Sequence, residues 1–383
     1  MGSDSLEISI NVIKMILIFL MMVQAVPILV WLERRGSAFI QNRLGPNRVG
    51  PLGLVQLLAD AVKFLQKEEF IPAKGIRVLY YAAPVIALVP ATLAFLAIPI
   101  GAPMSLEAFE LFGSEWGPYR FALQGYEVGV GIVFVLGVSS LAAYAVLLAG
   151  WGSGNKYSIL GALRASSQMI SYELALGLSI VGVILLYGSF NFSDMILAQQ
   201  GPLAIKAFGR ELVIGWLPNW GIFFQPLGAI LFFAATFAES NRLPFDLPEG
   251  EAELVAGFHV EYGGFKMLLF FIGEYGHMMV ASGLMATFYF GGYQVPFMSP
   301  DQVLAWVSTW APGANSAAVI SSLLHHVVFL VKIAVFLWIF IHVRWTLPRF
   351  RYDQLMDLGW KTMLPWALAN TILTAIVIAV AAS

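Results

Sequence analysis

The chain contains no cysteine. It therefore ligates no iron–sulfur cluster through thiolates, closes no disulfide and offers no thiol nucleophile. Charge is nearly as scarce: 11% of the 383 residues are Asp, Glu, Lys or Arg, where a soluble domain carries about a quarter. A net charge of −2 gives no basic surface for nucleic acid. There is no phosphate-binding loop, no GxSxG turn and no HExxH helix. His259 and His277 lack the partners and spacing of a metal or haem site. What fills the chain instead is apolar: 59% hydrophobic residues and a mean hydropathy of +0.79. Lipid is the solvent that tolerates such a composition, and a soluble enzyme is excluded.

Eight stretches are long and apolar enough to cross roughly 30 Å of hydrocarbon, near 12–32, 79–101, 128–149, 168–187, 221–238, 266–290, 322–343 and 363–382. The first run is too long for a cleaved signal peptide and reads as a span. Of the 21 Lys and Arg, only Lys14, Arg120, Lys206, Arg210 and Lys332 lie within spans or in the even-numbered gaps. The other 16 fall in the gaps near 33–78, 150–167, 239–266 and 344–361. By the positive-inside rule those four gaps face the cytoplasm and both termini lie opposite. The expected fold is an all-α integral membrane protein of about eight transmembrane helices, in a single membrane domain with no internal repeat.

The gap after the first span opens Glu33-Arg34-Arg35 and passes through GPNRVGP at 45–51, where Gly and Pro oppose regular helix. Beyond it Leu54, Leu57, Leu58, Ala61, Val62 and Leu65 recur at helical spacing, with Gln56, Asp60, Lys63 and Lys67 on the opposite face. Such a helix is too short and too charged to span and lies along the membrane surface. On its own it reads as a membrane-parallel brace.

Ionisable residues inside a membrane are costly, so each is a functional candidate. Glu173 lies in the fourth apolar run, Glu274 in the sixth with His277 close behind, and Lys332 in the seventh after His325-His326. For Lys14 and His325 a snorkelling position serves equally well. The densest signal follows the fifth span, where 23 residues carry Glu239, Asp246, Glu249, Glu251, Glu253 and Glu261 against Arg242 alone. Crowded, partly desolvated carboxylates hold protons more tightly and titrate as a unit, which suits a proton relay. A solvated acidic loop, or an oxygen-ligand cation site without EF-hand spacing, is the plainer alternative.

Three blocks carry a resemblance: ERRGSAFIQNRLGPNRVGPLGLVQLLADAVKFLQKE, GWGSGNKYSILGALRASSQMISYE and AESNRLPFDLPEGEAELVAGFHVEYGGFKMLLFFIGEY. In this order they resemble the H-type membrane subunit of respiratory complex I, which is called subunit 1 in mitochondria. The likeness runs from about residue 25 to 290 and more loosely to the C-terminus.

The resemblance implies a place in a bacterial plasma membrane, at the joint between the peripheral redox arm of an NADH:quinone oxidoreductase and its antiporter-like, proton-pumping subunits. Glu33, Arg34, Arg43, Asp60, Arg242 and Asp246 would line a quinone chamber. Glu239, Glu249, Glu251, Glu253 and Glu261 would pass protons toward Glu173 and Glu274, with Tyr144 on the route. The third span carries no carboxylate, and Glu127 lies at its outer end, so a path there must use Tyr144, Ser139, Ser140 and water. Quinone would be substrate, with flavin and iron–sulfur clusters on partner subunits; the isolated chain would bind no covalent cofactor or metal and have no catalytic activity. Two other readings stand beside this one. The membrane anchor of an energy-converting hydrogenase resembles the same blocks, and a stand-alone cation or proton transporter would need half-helices or inverted repeats that the sequence lacks.

Overall fold

In a computed structural model of the chain, the structure describes residues 2–111, 114–116, 118–207, 210–246 and 257–382. Among these, seven helical segments are long and apolar enough to cross a membrane: Ile8–Ile40, Arg77–Ala97, Gly131–Gly152, Lys156–Tyr187, Gly264–Tyr289, Ala314–Thr346 and Tyr352–Ala381. The first belongs to α1 (Gly2–Ile40), which runs well past the apolar stretch and carries Glu33 to Arg35 near its end. Next come α2 (Gln56–Gln66) and α3 (Arg77–Ala97). The third crossing is two helices, α4 (Gly131–Ser139) and α5 (Leu141–Gly152), joined at Ser140. Then follow α6 (Lys156–Tyr187), the short α7 (Phe192–Ala198), α8 (Pro226–Glu239) and α9 (Gly264–Tyr289). The chain closes with α10 (Pro300–Ser308), α11 (Ala314–Thr346), α12 (Tyr352–Asp357), a π-turn over Leu358–Met363, and α13 (Leu364–Ala382). Among the described residues, strands are confined to small antiparallel ladders, such as Met104–Leu106 with Tyr119–Phe121 and Pro202–Ala207 with Arg210–Pro218.

The fifth expected crossing differs from the other seven. The apolar stretch 221–238 divides into a 3₁₀ turn at Gly221–Phe223 and a helix of 14 residues, because Gln225 leaves the helical region (φ −131°, ψ 53°) and Pro226 starts α8 afresh. Fourteen residues reach only about 21 Å, less than the hydrocarbon thickness. Most of the helix does not depend on lipid, since Leu231, Phe232, Ala235, Thr236, Phe237 and Ala238 are all buried in protein while Ile230 faces outward.

Helix α9 is the axis of the bundle: every residue from Tyr275 to Tyr289 is buried. Small residues let its neighbours approach, as membrane helices require in the absence of a hydrophobic drive between them. A Cβ on Gly273 would stand 2.7 Å from the Ala87 carbonyl oxygen of α3. The outer helices show apolar side chains to the surroundings, among them Ile13, Ile16 and Leu17 of α1, Val327, Val331 and Val335 of α11, and Ile372, Ile376 and Val377 of α13.

Helix α2 is amphipathic, as its spacing implies. Phe64 packs edge-on against Phe271 of α9 with ring centroids 6.2 Å apart. Leu58, Val62 and Leu65 stay exposed, and Asp60 turns toward the end of α1.

Candidate functional site

Four chain segments that are distant in sequence meet against the first half of α9. Helix α1 contributes Glu33, the turn after α8 contributes Arg242, α9 contributes Glu274 and Tyr275, and the last turn of α11 contributes Arg344. Arg242 is 4% exposed and lies between two carboxylates: its Nε is 2.7 Å from Glu274 Oε1 and its Nη1 is 3.3 Å from Glu33 Oε2. Arg344 donates to the other oxygen of Glu33. The Tyr275 hydroxyl donates to Glu33 Oε2 at 2.6 Å, and the Arg242 guanidinium stacks 4.2 Å over the Tyr275 ring. Two carboxylates thus face two guanidiniums, so the buried cluster balances in charge; an unbalanced one would be far more costly.

Beside this cluster a second one forms at the surface. Arg34 Nη1 is 2.5 Å from Asp60 Oδ2, Gln56 donates to Asp60 Oδ1 at 3.1 Å, and Lys63 stands 3.4 Å away. Partial burial alone would raise the Asp60 carboxyl. The hydrogen bonds from Gln56 and Arg34, with the charges of Arg34 and Lys63, outweigh it and hold the group below the usual carboxylate range. The polar face of α2 is thereby tied to the end of α1.

The remaining residues singled out in the sequence fall as follows. Arg43 is exposed and bonded to Gln41 at 2.6 Å and Ser37 at 3.4 Å, outside both clusters. Asp246 is buried, four residues beyond Arg242. Glu239 and Glu274 share a cavity of about 50 Å³ whose lining includes Ser240, Asn241 and His277. Glu239 is hydrogen-bonded to Ser139 and lies within electrostatic reach of Glu173. Glu261 accepts from the Asn155 side chain at 2.8 Å. Glu249, Glu251 and Glu253 lie outside the described residues. Tyr144 is 59% exposed on the outer surface of α5, while its neighbours Ala142 and Val146 line the cavity.

Lys332 belongs to the opposite end of α9. Its Nζ donates to the carbonyls of Phe290, Gly292 and Gln294 at 2.7–2.8 Å, so this ammonium is fully employed in holding the turn after α9. Three participants carry no signal of their own in the sequence. Arg344 counts there only as one of the basic residues fixing topology, although it is the first Arg after the seventh span. Tyr275 has nothing to mark it beside Glu274. Lys266, 5% exposed, sits between the Tyr80 and Tyr81 rings (5.0 and 4.5 Å) and reaches Glu69 at 3.5 Å. Tyr80 stacks on Tyr262 at 4.4 Å and donates to the Glu261 carbonyl at 2.6 Å, so this clasp pins the end of the acidic loop to the start of α3.

The sequence matches the model of the NADH dehydrogenase family over residues 13–375. It is 68% identical over 381 residues to the H subunit of the NADH-quinone oxidoreductase of Bdellovibrio bacteriovorus, covering 100% of this chain and 99% of that protein. It is 43% identical to the first of the corresponding H subunits of Geobacter metallireducens, with 97% of each chain covered. It is 42% identical to the first of those of Cytophaga hutchinsonii, with 89% of each covered. A match of this length, over helices that bring Glu33 of the first block of resemblance together with Arg242 and Glu274 of the third, means that the chain belongs to the NADH dehydrogenase family, among the H subunits of complex I.

Proposed function

We propose that this subunit forms the membrane-side wall of a quinone chamber and couples quinone reduction to proton translocation through buried carboxylates. It is a multi-pass protein of a bacterial plasma membrane and a subunit of a proton-pumping NADH:quinone oxidoreductase. Its partners in this reading are the peripheral-arm subunits that carry flavin and iron–sulfur clusters and the antiporter-like membrane subunits. Quinone is substrate, and the chain acts only within the assembly.

The observation that carries the reading is Arg242, one guanidinium shared between Glu33 and Glu274. Glu33 lies within electrostatic reach of Arg34, which pairs with Asp60 and so ties the amphipathic helix down. Glu274 looks toward the cavity that it shares with Glu239. A proton arriving on Glu274 cancels half of the charge that Arg242 balances, and the guanidinium is then drawn toward Glu33 and away from Glu274. A change of charge on the quinone side acts through Glu33 in the reverse sense. Linkage makes such coupling reciprocal. Arg242 lies in the turn after α8, so the same shift moves the entry of the acidic segment. The exposed apolar face of Leu58, Val62 and Leu65 supports passage of an apolar quinone tail along α2.

The test uses fully assembled complex in vesicles, with Glu274→Gln and Glu173→Gln made separately. Both variants are expected to lose proton pumping and quinone-linked NADH oxidation together, while electron transfer to an artificial acceptor taken from the peripheral arm continues. Wild-type pumping and quinone reduction in both would make these glutamates structural and overturn the reading.

A further inference from the structure

The cavity between Glu239 and Glu274 has a third polar edge that the relay does not yet use. His277 lies three residues beyond Glu274, one turn along the same face of α9, and lines the same space. It is 7% exposed, and among the described residues its Nε2 has no hydrogen-bond partner. Across the cavity the buried Oδ1 of Asn241 is equally without one. Imidazole nitrogen and amide oxygen are strong hydrogen-bonding groups, and when buried they are normally satisfied by protein or by ordered water. The cavity holds about 50 Å³, and one water needs about 10–15 Å³, so about three to five fit. An apolar void of this size stays dry, whereas one rimmed by two carboxyl groups, an imidazole and an amide offers a water its two to four partners.

We propose that His277 is a positioning residue of the proton relay, its Nε2 holding an ordered water between Glu239 and Glu274. The inference rests on the relay reading above. The proton leaves the Glu239 carboxyl, crosses by exchange of hydrogen bonds along the water, and ends on the Glu274 carboxylate, where it weakens the pairing with Arg242. No heavy-atom bond changes, and His277 has the same protonation state before and after. Its task is orientation: without a fixed partner, cavity water turns freely, and the chain from one carboxyl to the other breaks.

His277→Leu and His277→Gln are compared in the assembled complex, with activity normalised to bound flavin and Glu274→Gln run alongside. Leu keeps the bulk and removes the partner for water; Gln keeps a polar atom near the place of Nε2. His277→Leu is expected to lower quinone-linked turnover and pumping by about tenfold or more, the scale on which a positioned group in proton transfer acts. His277→Gln is expected to recover most of the loss, a rescue that a packing role would not give. Wild-type rates in His277→Leu, with Glu274→Gln impaired, overturn the role of His277 alone. Wild-type rates in Glu274→Gln as well overturn the relay and this inference with it. If His277→Leu does not assemble, a high-resolution map of the wild-type complex decides. A water within about 3.2 Å of Nε2 supports the inference, and an empty cavity overturns it.

Discussion

Replacing Arg242 by Met deletes the cation between two buried carboxylates, but the two do not suffer equally. Glu33 keeps Arg344 on one oxygen and the Tyr275 hydroxyl on the other. Glu274 loses the guanidinium 2.7 Å away while its side chain stays 13% exposed. Breaking a buried pair from one side costs about 3–5 kcal/mol, because a charge is left without compensation. At about 1.4 kcal/mol per tenfold, that is a loss of roughly two to nearly four powers of ten in the population of the folded subunit. Arg242→Met is therefore expected to lower sharply both the amount of assembled complex in the membrane and its midpoint of thermal disassembly on native gels. The abandoned charge sits on Glu274, so adding Glu274→Gln is expected to restore most of the stability. Adding Glu33→Gln instead should restore none, since it strands Arg344. Coupling energies of about 0.5–3 kcal/mol are usual for residues in one ionic network, and this cycle falls at the upper end. Equal rescue by both second substitutions, or rescue by neither, would refute the assignment of Arg242 as the shared counter-ion.

Other expectations follow from separate parts of the molecule. Tags at the C-terminus and beside Asn315 should both report the side opposite the cytoplasm, since the basic gaps hold the other side; cytoplasmic labelling of either means that a span has been miscounted. The Asp60 carboxyl is held below its unfolded value, so its contribution is fully present above the usual carboxylate range near about pH 4. It is lost only as pH falls through the folded value beneath that. A spin label at Gln66 should therefore show unchanged α2 mobility from about pH 8 to 5 and loosening in stronger acid. Asp60→Asn should loosen it throughout about pH 8 to 5, by less than about 1 kcal/mol because Arg34 is largely exposed, and should match the wild type in strong acid. Gly154 has φ +66°, and a Cβ there would stand 2.4 Å from the Lys74 carbonyl oxygen. Gly154→Ala should destabilise the complex by about 1–3 kcal/mol in thermal disassembly, whereas Gly129→Ala, with open space around it, should not.

Spans are legible because apolar length is a one-dimensional property of sequence, and seven of the expected crossings stand close to where hydropathy puts them. The amphipathic helix is legible too, because a period of about 3.6 separates Asp60 and Lys63 from Leu58 and Leu65 whatever surrounds them. The interruption at Gln225–Pro226 is written in the sequence as well, but within an otherwise apolar run it is masked by Ile222, Phe223 and Phe224. At the site, scarcity of intramembrane charge marks Glu173 and Glu274, and the resemblance supplies Glu33 and Arg242. Nothing in one dimension says that Arg242 bridges Glu33 to Glu274, since the first of these pairs joins residues more than two hundred positions apart. Arg344 shows the reverse problem: as one basic residue among four after the seventh span it looks like a topology signal, and its burial depends on tertiary packing. Tyr144 illustrates direction. Its place on α5 is right for the cavity's neighbourhood, but Ala142 and Val146 take the inward face and leave the phenol outside.

The short α8 has a consequence for how the chain enters the membrane. A translocating channel releases a segment to lipid when its own hydrophobic length suffices, and 14 helical residues preceded by an unwound Gly221–Gln225 turn do not present that length. The backbone of that turn finds its partners elsewhere: the Gly221 N–H donates to Gln199 Oε1 at 3.0 Å, and the same oxygen accepts from Gly291 N–H at 2.9 Å. Gln199 follows α7 and Gly291 follows α9. Phe232 of α8 packs in turn on Phe288 and Tyr289, with ring centroids 5.7 and 5.8 Å away, so the segment is complete as a membrane element only once the chain has been made through α9. Ribosomes stalled between Glu239 and Gly264 would hold a half-inserted intermediate, retained by the insertion machinery until α9 arrives to roof it.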